Sequence, residues 1–308
     1  MKEGLVIKST GSWYTVKTKD GEIKNCRMKG RFRMKGIKTT NPIAVGDRVD
    51  FEESKSSNVI VNIHDRKNYI IRKSSNLSKH SQIIAANIDQ AFLIVTISYP
   101  LTTTNFIDRF LVSAEAYCIP VRLIFNKIDR YHTTDMNRLN ELKRIYTKIG
   151  YKCFETSAKN GTHIDIIKDE LRGKINLLSG HSGVGKSALI NVIQPGLNLK
   201  TREISEAHLQ GKHTTTFSEM FELDFGGYII DTPGIRGFGT IDMEKEEISH
   251  FFPEIFETSK NCQFHNCSHI REPACAVKIA VESGEISTSR YKSYLDMVSE
   301  DEDNKYRI

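Results

Sequence analysis

An eight-residue run, Gly180-His181-Ser182-Gly183-Val184-Gly185-Lys186-Ser187, leaves the surrounding chain few folds to adopt. It meets G-x-x-x-x-G-K-[ST] at every fixed position, with the apolar run Ile175–Ser179 as a strand leading in and Ser187–Ile193 as a helix leading out. Glycines in such a turn let successive backbone N–H groups point inward around phosphate oxygens. Lys186 brings positive charge to the outer phosphates, the Ser187 hydroxyl is a ligand for Mg²⁺, and the helix N-terminus adds its partial positive charge.

The flanking sequence agrees. Asp89–Ile97 and Val121–Phe125 are continuous apolar runs, as expected of strands buried on both faces of a parallel sheet. Helical patterns over Asn105–Tyr117 and Asp135–Ile149 separate them, and further strands are expected at Lys152–Thr156, Glu219–Asp224 and Tyr228–Ile230. Strands alternating with helices predict a doubly wound α/β domain over residues 72–238.

A phosphate loop does not choose between adenine and guanine; Asn126-Lys127-Ile128-Asp129, at the end of the strand Val121–Phe125, does. Asp129 suits the guanine N1–H and exocyclic amine, which adenine does not offer in that geometry, so adenine would leave a carboxylate unpaired. Lys127 lays its stem along the base. Thr156-Ser157-Ala158-Lys159 follows another expected strand, where a backbone N–H of Ser157, Ala158 or Lys159 reaches the guanine O6. After the strand Tyr228–Ile230 comes Asp231-Thr232-Pro233-Gly234, with Asp231 holding Mg²⁺ through water and the Gly234 N–H sensing the γ-phosphate. Between phosphate loop and Asp231, Gly211-Lys212-His213-Thr214-Thr215-Thr216 offers hydroxyls for the same metal, Thr215 being favoured.

The order is unusual. The base-reading motifs precede the phosphate loop, whereas an ordinary small GTPase has them after it. The same sheet forms from this order if the old termini are joined and new ones opened, which makes the domain a circularly permuted P-loop GTPase. The γ-phosphate-sensing segments then run almost directly into the C-terminal part, so their ordering is able to move it. Ile235 stands where Ras-like enzymes place a water-orienting glutamine and cannot do that work; His213 is the nearest candidate, and otherwise a partner completes the site.

Before the α/β domain, five short strand-like runs (Leu5–Thr10, Ser12–Lys17, Ile23–Arg27, Arg48–Phe51, Asn58–Ile63) lie within residues 1–68. They predict an all-β barrel such as an OB-fold, with a small sandwich or an SH3-like barrel left open by strand count alone. Between Lys24 and Lys38 there are seven basic residues and no acidic one, with Phe32 among them and Trp13 and Tyr14 nearby. That mixture suits phosphate contacts and base stacking on RNA.

Residues 240–308 read as mainly helical around Cys262-x₄-Cys267-x-His269-x₅-Cys275, three thiolates and an imidazole suited to a closed tetrahedral structural Zn²⁺ site. His265 is an alternative to His269. Four protein ligands leave no open position for catalysis. Cys26, Cys118 and Cys153 are expected to be buried small residues, and Glu300-Asp301-Glu302-Asp303 a disordered end. No apolar run approaches the ~18 residues that cross a bilayer, and Met1–Thr10 has no signal-peptide core, so a cytoplasmic protein without membrane contact is expected. The formal net charge is +6, concentrated in the barrel, which points to an anionic partner.

Together these motifs resemble the ribosome small-subunit-dependent GTPase A family of bacteria, over essentially the whole chain: barrel, NKID–SAK–GHSGVGKS–GKHTTT–DTPGI in that order, and the Cys/His spacing. The resemblance implies GTP hydrolysis to GDP and phosphate, slow alone and stimulated by the small ribosomal subunit, in late maturation of that subunit. It implies that barrel and zinc domain grip rRNA, and that His213 positions the attacking water beside Lys186 and Thr215. A monomer using GTP/GDP, Mg²⁺ and one structural Zn²⁺ is expected. The competing readings are a metal-delivery or signalling GTPase, opposed by the closed ligand set and the basic barrel; an ATPase or kinase, opposed by Asp129; and a degenerate nucleotide site, opposed by the intact Lys186, Ser187 and Asp231.

Overall fold

The computed structural model describes residues 1–28, 42–54, 57–73, 81–197, 219–231 and 243–305. Five strands open the chain: β1 (Lys2–Ser9), β2 (Tyr14–Thr18), β3 (Ile23–Met28), β4 (Arg48–Glu52) and β5 (Asn58–Ile63). Their order is β1-β2-β3-β5-β4, with β4 returning to pair with β1, so the sheet closes on itself. β3 and β5 are parallel and the other pairs antiparallel. This is a closed OB-like barrel, which removes the sandwich alternative. Alternation directs one face inward: Val6, Tyr14, Val16, Cys26, Val49, Phe51 and Ile60 form its core with Ile43. Asp47, wholly buried, is held by Arg66 through Nε at 2.6 Å and Nη2 at 2.5 Å and accepts from the Ala44 N–H at 2.8 Å.

A hairpin that the sequence pattern did not announce follows, β6 (Tyr69–Lys73) with β7 (Ser81–Ala86). It joins barrel to the next domain: the Ala86 N–H donates to Val45 at 2.9 Å. Gly46 has φ +93°, and a Cβ there would stand 2.0 Å from the Ala86 carbonyl oxygen, so only glycine permits this approach.

The α/β domain runs β8 (Gln90–Val95), α1 (Thr104–Ala116), β9 (Val121–Phe125), α2 (Thr133–Ile149), β10 (Lys152–Glu155), α3 (Ile164–Leu171), β11 (Ile175–Ser179), α4 (Lys186–Ile193), β12 (Glu219–Glu222) and β13 (Tyr228–Asp231). Sheet order is β10-β9-β8-β11-β13-β12, parallel except for the edge strand β12. β8, buried along its whole length, sends Ala91, Leu93 and Val95 toward α1 and α2, and Phe92 and Ile94 toward α3 and α4. β12 continues into the barrel through one register pair with β1, Lys8↔Glu219, so the two sheets are joined edge to edge.

The last part holds a 3₁₀ helix (Lys245–Phe251), α5 (Pro253–Ser259), α6 (Ala276–Glu282) and α7 (Thr288–Lys305). Its core of Ile248, Phe252, Ile255, Val277, Ile286, Tyr294 and Val298 includes Val112 of α1. Glu300–Asp303, expected to be disordered, instead continue α7: extending an existing helix needs no new nucleus, and glutamate is a good helix former. Cys26 is buried as expected, but Cys153 is only half-buried and Cys118 is exposed, just past the end of α1.

Candidate guanine-nucleotide site and metal centre

β11 delivers the phosphate loop at the carboxyl end of the sheet, beside the strand order's reversal point between β8 and β13, where open α/β sheets place ligands. Gly180, Gly183 and Gly185 all have positive φ, at +154°, +84° and +94°. Gly185 is constrained doubly, because a Cβ would lie 2.5 Å from the Asn126 Nδ2.

That contact marks where the two halves of the site meet. Asn126, buried at the end of β9, donates from Nδ2 to the Val184 carbonyl at 2.9 Å, and its Oδ1 accepts from the Thr156 hydroxyl at 3.1 Å and the Ala158 N–H at 3.3 Å. One amide thus ties the phosphate loop to both base-reading segments. Lys127, with φ +67°, donates from Nζ to the Gly183 carbonyl at 2.6 Å and the Tyr99 carbonyl at 2.8 Å. Burial, and then the neighbouring Arg130 charge, lower its pKa. Asp129 is exposed, and its Oδ1 accepts from the Ser157 hydroxyl at 2.5 Å, which fixes the carboxylate against the Ser157–Lys159 turn. Lys186 and Ser187 start α4, and both are half-buried.

The register β11·β13 sets Asp231 opposite Leu178, two residues before Gly180, so the backbone of Asp231 ends its strand beside the phosphate loop. The Asp231 side chain, Gly234, Ile235, His213 and the threonines 214–216 lie outside the described residues, as do Phe32 and the basic stretch from Lys29 onward. Within the described barrel, Trp13 is partly exposed with the Arg27 guanidinium 4.0 Å from its ring, whereas Tyr14 is buried and cannot stack on a base, because β2 alternation turns it inward.

Some neighbours carry no motif. The loop between β8 and α1 abuts the phosphate loop: the Thr102 hydroxyl and His181 Nε2 share a hydrogen bond of 2.7 Å, and Phe106 meets the His181 ring edge-on at 5.5 Å. Threonines before a helix and a histidine inside a glycine loop gave no signal that they touch. Further along α1, Asp108 accepts from Arg290 Nη1 and from the Tyr146 hydroxyl, each at 2.8 Å, while Arg290 Nε and Nη2 donate to Glu254 at 2.6 and 3.0 Å. Arg290 and Asp108 are fully buried. A charged residue inside the apolar stripe of α1 was the available clue.

The second site is compact. The ligand atoms of Cys262, Cys267, His269 and Cys275 all lie within 4.8 Å of one another. Cys262 Sγ is 3.9 Å from Cys275 Sγ and 3.7 Å from His269 Nδ1, and Cys275 Sγ is 3.4 Å from His269 Nδ1. A tetrahedron with Zn–S bonds of ~2.3 Å and a Zn–N bond of ~2.0 Å has edges of roughly 3.5–3.8 Å, so the donor set fits zinc. His269 is buried and His265 exposed, which selects His269. Burial lowers the His269 pKa, keeping a neutral imidazole, and raises Cys267 to about 12, with the adjacent thiols adding to the rise. Supporting bonds hold the ligand loop: Tyr291 and Tyr294 hydroxyls donate to the carbonyls of His269 (2.6 Å) and Ser268 (2.7 Å). The Glu272 carboxylate accepts from the Ser268 N–H and hydroxyl and from the N–H groups of Ile270 and Arg271. Burial opposes its ionisation, but these donors outweigh it and bring its pKa to about 2.

Residues 63–241 match the family model described as RsgA GTPase, and residues 3–61 that of the RsgA N-terminal domain. The chain belongs to the RsgA GTPase family. A Bacteroides thetaiotaomicron protein named small ribosomal subunit biogenesis GTPase RsgA 2 is 61% identical over 306 residues, covering 99% of each chain. A Christiangramia forsetii relative, small ribosomal subunit biogenesis GTPase RsgA, is 56% identical over 99% of this chain and 98% of its own. Among solved structures, YjeQ from Thermotoga maritima superposes with a TM-score of 0.80 at 39% identity, covering 97% of this chain and 98% of the other. YloQ, a circularly permuted GTPase, gives 0.77 at 32% identity, covering 100% and 97%. Family membership makes this chain a GTP hydrolase with a circularly permuted nucleotide domain, and Asn126 and Lys127 bond directly to the Gly180–Ser187 loop that follows them in the chain.

Proposed function

We propose that this chain hydrolyses GTP on the small ribosomal subunit during its maturation, with turnover stimulated by that subunit. The observation that carries the nucleotide half is the Asn126 amide, which bonds the Val184 carbonyl and the Thr156–Ala158 segment at once and so joins base recognition to phosphate binding. The subunit follows from the names of the relatives, which are small ribosomal subunit biogenesis GTPases over nearly their whole length.

In this reading three parts divide the work: residues 1–68 and 240–308 grip rRNA, and residues 72–238 bind and hydrolyse GTP. Asn126, Lys127 and Asp129 with Ser157–Lys159 select guanine; Gly180–Ser187 cradle the phosphates. Lys186 offsets charge on the outer phosphates. Ser187, Thr215 and Asp231 would hold Mg²⁺, which neutralises negative charge as the phosphoryl group departs. His213 positions the attacking water, and the Gly234 N–H registers the γ-phosphate. Cys262, Cys267, His269 and Cys275 hold one zinc ion that fixes the C-terminal fold. The protein works as a cytoplasmic monomer.

GTP turnover measured alone, with small subunits, with large subunits and with naked RNA tests the whole. Stimulation by small subunits alone is the expected result; equal rates in all four leave a GTPase without this partner.

A further inference from the structure

The loop between β8 and α1 presents a residue that no motif names. Tyr99 is 66% exposed and has φ +54°, a left-handed backbone that non-glycine residues adopt infrequently. Its neighbours hold it there. Lys127 Nζ donates to the Tyr99 carbonyl at 2.8 Å and to the Gly183 carbonyl at 2.6 Å. The Thr96 hydroxyl donates to the Pro100 carbonyl at 2.6 Å, and Pro100 lies against Gly183, where a Cβ would stand 3.4 Å from its ring carbons. The Tyr99 backbone is therefore fastened between the phosphate loop and the base-reading motif. The ring is left outside, with the Arg130 guanidinium 5.5 Å from its centroid, within cation–π range. Arg130 directly follows Asp129, the residue that reads the base.

A solvated aromatic ring with no core to fill, set by an unfavourable backbone at the rim of a nucleotide site and flanked by Arg130, offers exposed apolar surface to a ligand. A purine nucleoside spanning from Asp129 to the phosphate loop passes beside Lys127, and so beside Tyr99. We propose that Tyr99, steadied by Arg130, is a positioning residue for the nucleoside half of the substrate, packing on the ribose and the outer part of the guanine ring. The proposal rests on the guanine-nucleotide reading of the site.

The test is calorimetric titration of the full-length protein with GDP and, separately, with pyrophosphate, which engages the phosphate loop alone. Tyr99→Ala is expected to weaken GDP binding about tenfold, the range of one lost aromatic–base contact. Tyr99→Phe should retain GDP affinity, since the ring remains, and Arg130→Ala should lose part of it. Pyrophosphate affinity should stay the same in all three. Unchanged GDP affinity in Tyr99→Ala, beside normal binding by the parent chain, overturns the proposal and leaves the site assignment intact. Equal weakening of GDP and pyrophosphate also overturns it, since the defect would then be a disturbed Lys127 and phosphate loop. A parent chain that binds pyrophosphate but no GDP overturns the guanine reading itself, and the Tyr99 role with it.

Discussion

Asp129 stands with one carboxylate oxygen already engaged by the Ser157 hydroxyl at 2.5 Å, which limits the freedom of the side chain. That preorganisation makes the base preference testable by one atom. In Asp129→Asn the side chain donates where it accepted. Xanthine carries a carbonyl where guanine carries its amine, so GDP affinity should fall by roughly a hundredfold while XDP affinity rises, as read by competition binding. Lys186→Ala should abolish turnover. His213→Ala should keep GTP binding and lose most of the subunit-stimulated rate in a single-turnover assay; equal loss of binding would oppose a water-positioning role. At the metal loop the depressed pKa of Glu272 has a sign. A carboxyl near 2 when folded and near its ordinary value of 4.5 when unfolded stabilises the loop above pH 4.5, and that contribution drains away as pH falls toward 2. Glu272→Gln should therefore flatten the acid limb of a loop-unfolding profile followed by zinc release. Asp129, Lys186 and His213 were legible as candidates in the sequence because each motif carries its chemistry in residue type and spacing. Tyr99, Thr102 and Glu272 were not, because they act through backbone position and contacts made across the fold.

At the scale of elements, α1 links the nucleotide domain to the C-terminal helices. Its leading loop meets the phosphate loop through Thr102 and His181, its middle carries Asp108 to Arg290 of α7, and Val112 joins the C-terminal core. Removing one partner of a buried pair strands the other charge, so Arg290→Ala should cost ~3–5 kcal/mol in urea unfolding. Strands and helices with long single-period patterns were readable: β9 and β11 fall on their expected bounds, and α1 and α2 within two residues at either end. The hairpin β6–β7 was missed because neither side is continuously apolar and a polar stretch separates them, so neither a buried run nor a two-residue turn marks it. α3, eight residues long like α4, escaped because no glycine-loop motif leads into it to mark its start.

Across the whole molecule, α1 fastens the C-terminal helices to the nucleotide domain, and the cysteine cluster ties those helices to one another. Chelation of zinc should loosen the part built on Cys262, Cys267 and Cys275, seen as lost near-ultraviolet signal and faster proteolysis after Ile248, while GDP binding survives because the sheet is held by its own core. Zinc uptake should release protons and weaken as pH falls, since burial keeps the Cys267 thiol protonated without the metal. The three-part composition could be read from charge and texture along the chain. The edge-to-edge junction of barrel and sheet could not, because one register pair, Lys8↔Glu219, joins residues from opposite parts of the sequence.

The permuted strand order also sets a timetable. Of the nucleotide sheet, a ribosome making this chain delivers β8, β9 and β10 before the rest, three strands with Asn126, Lys127 and Asp129 at the end of β9. The inner edge of β8 then waits, its backbone unpaired, until β11 arrives through Ile175–Ser179. The chain therefore emerges with Asn126–Asp129 at the end of its sheet before the Gly180–Ser187 loop exists to meet them. Nucleotide cannot act as a template for the early sheet, and the nascent protein passes through an interval in which its most apolar strand depends on the exit tunnel, chaperones or sheer speed for protection.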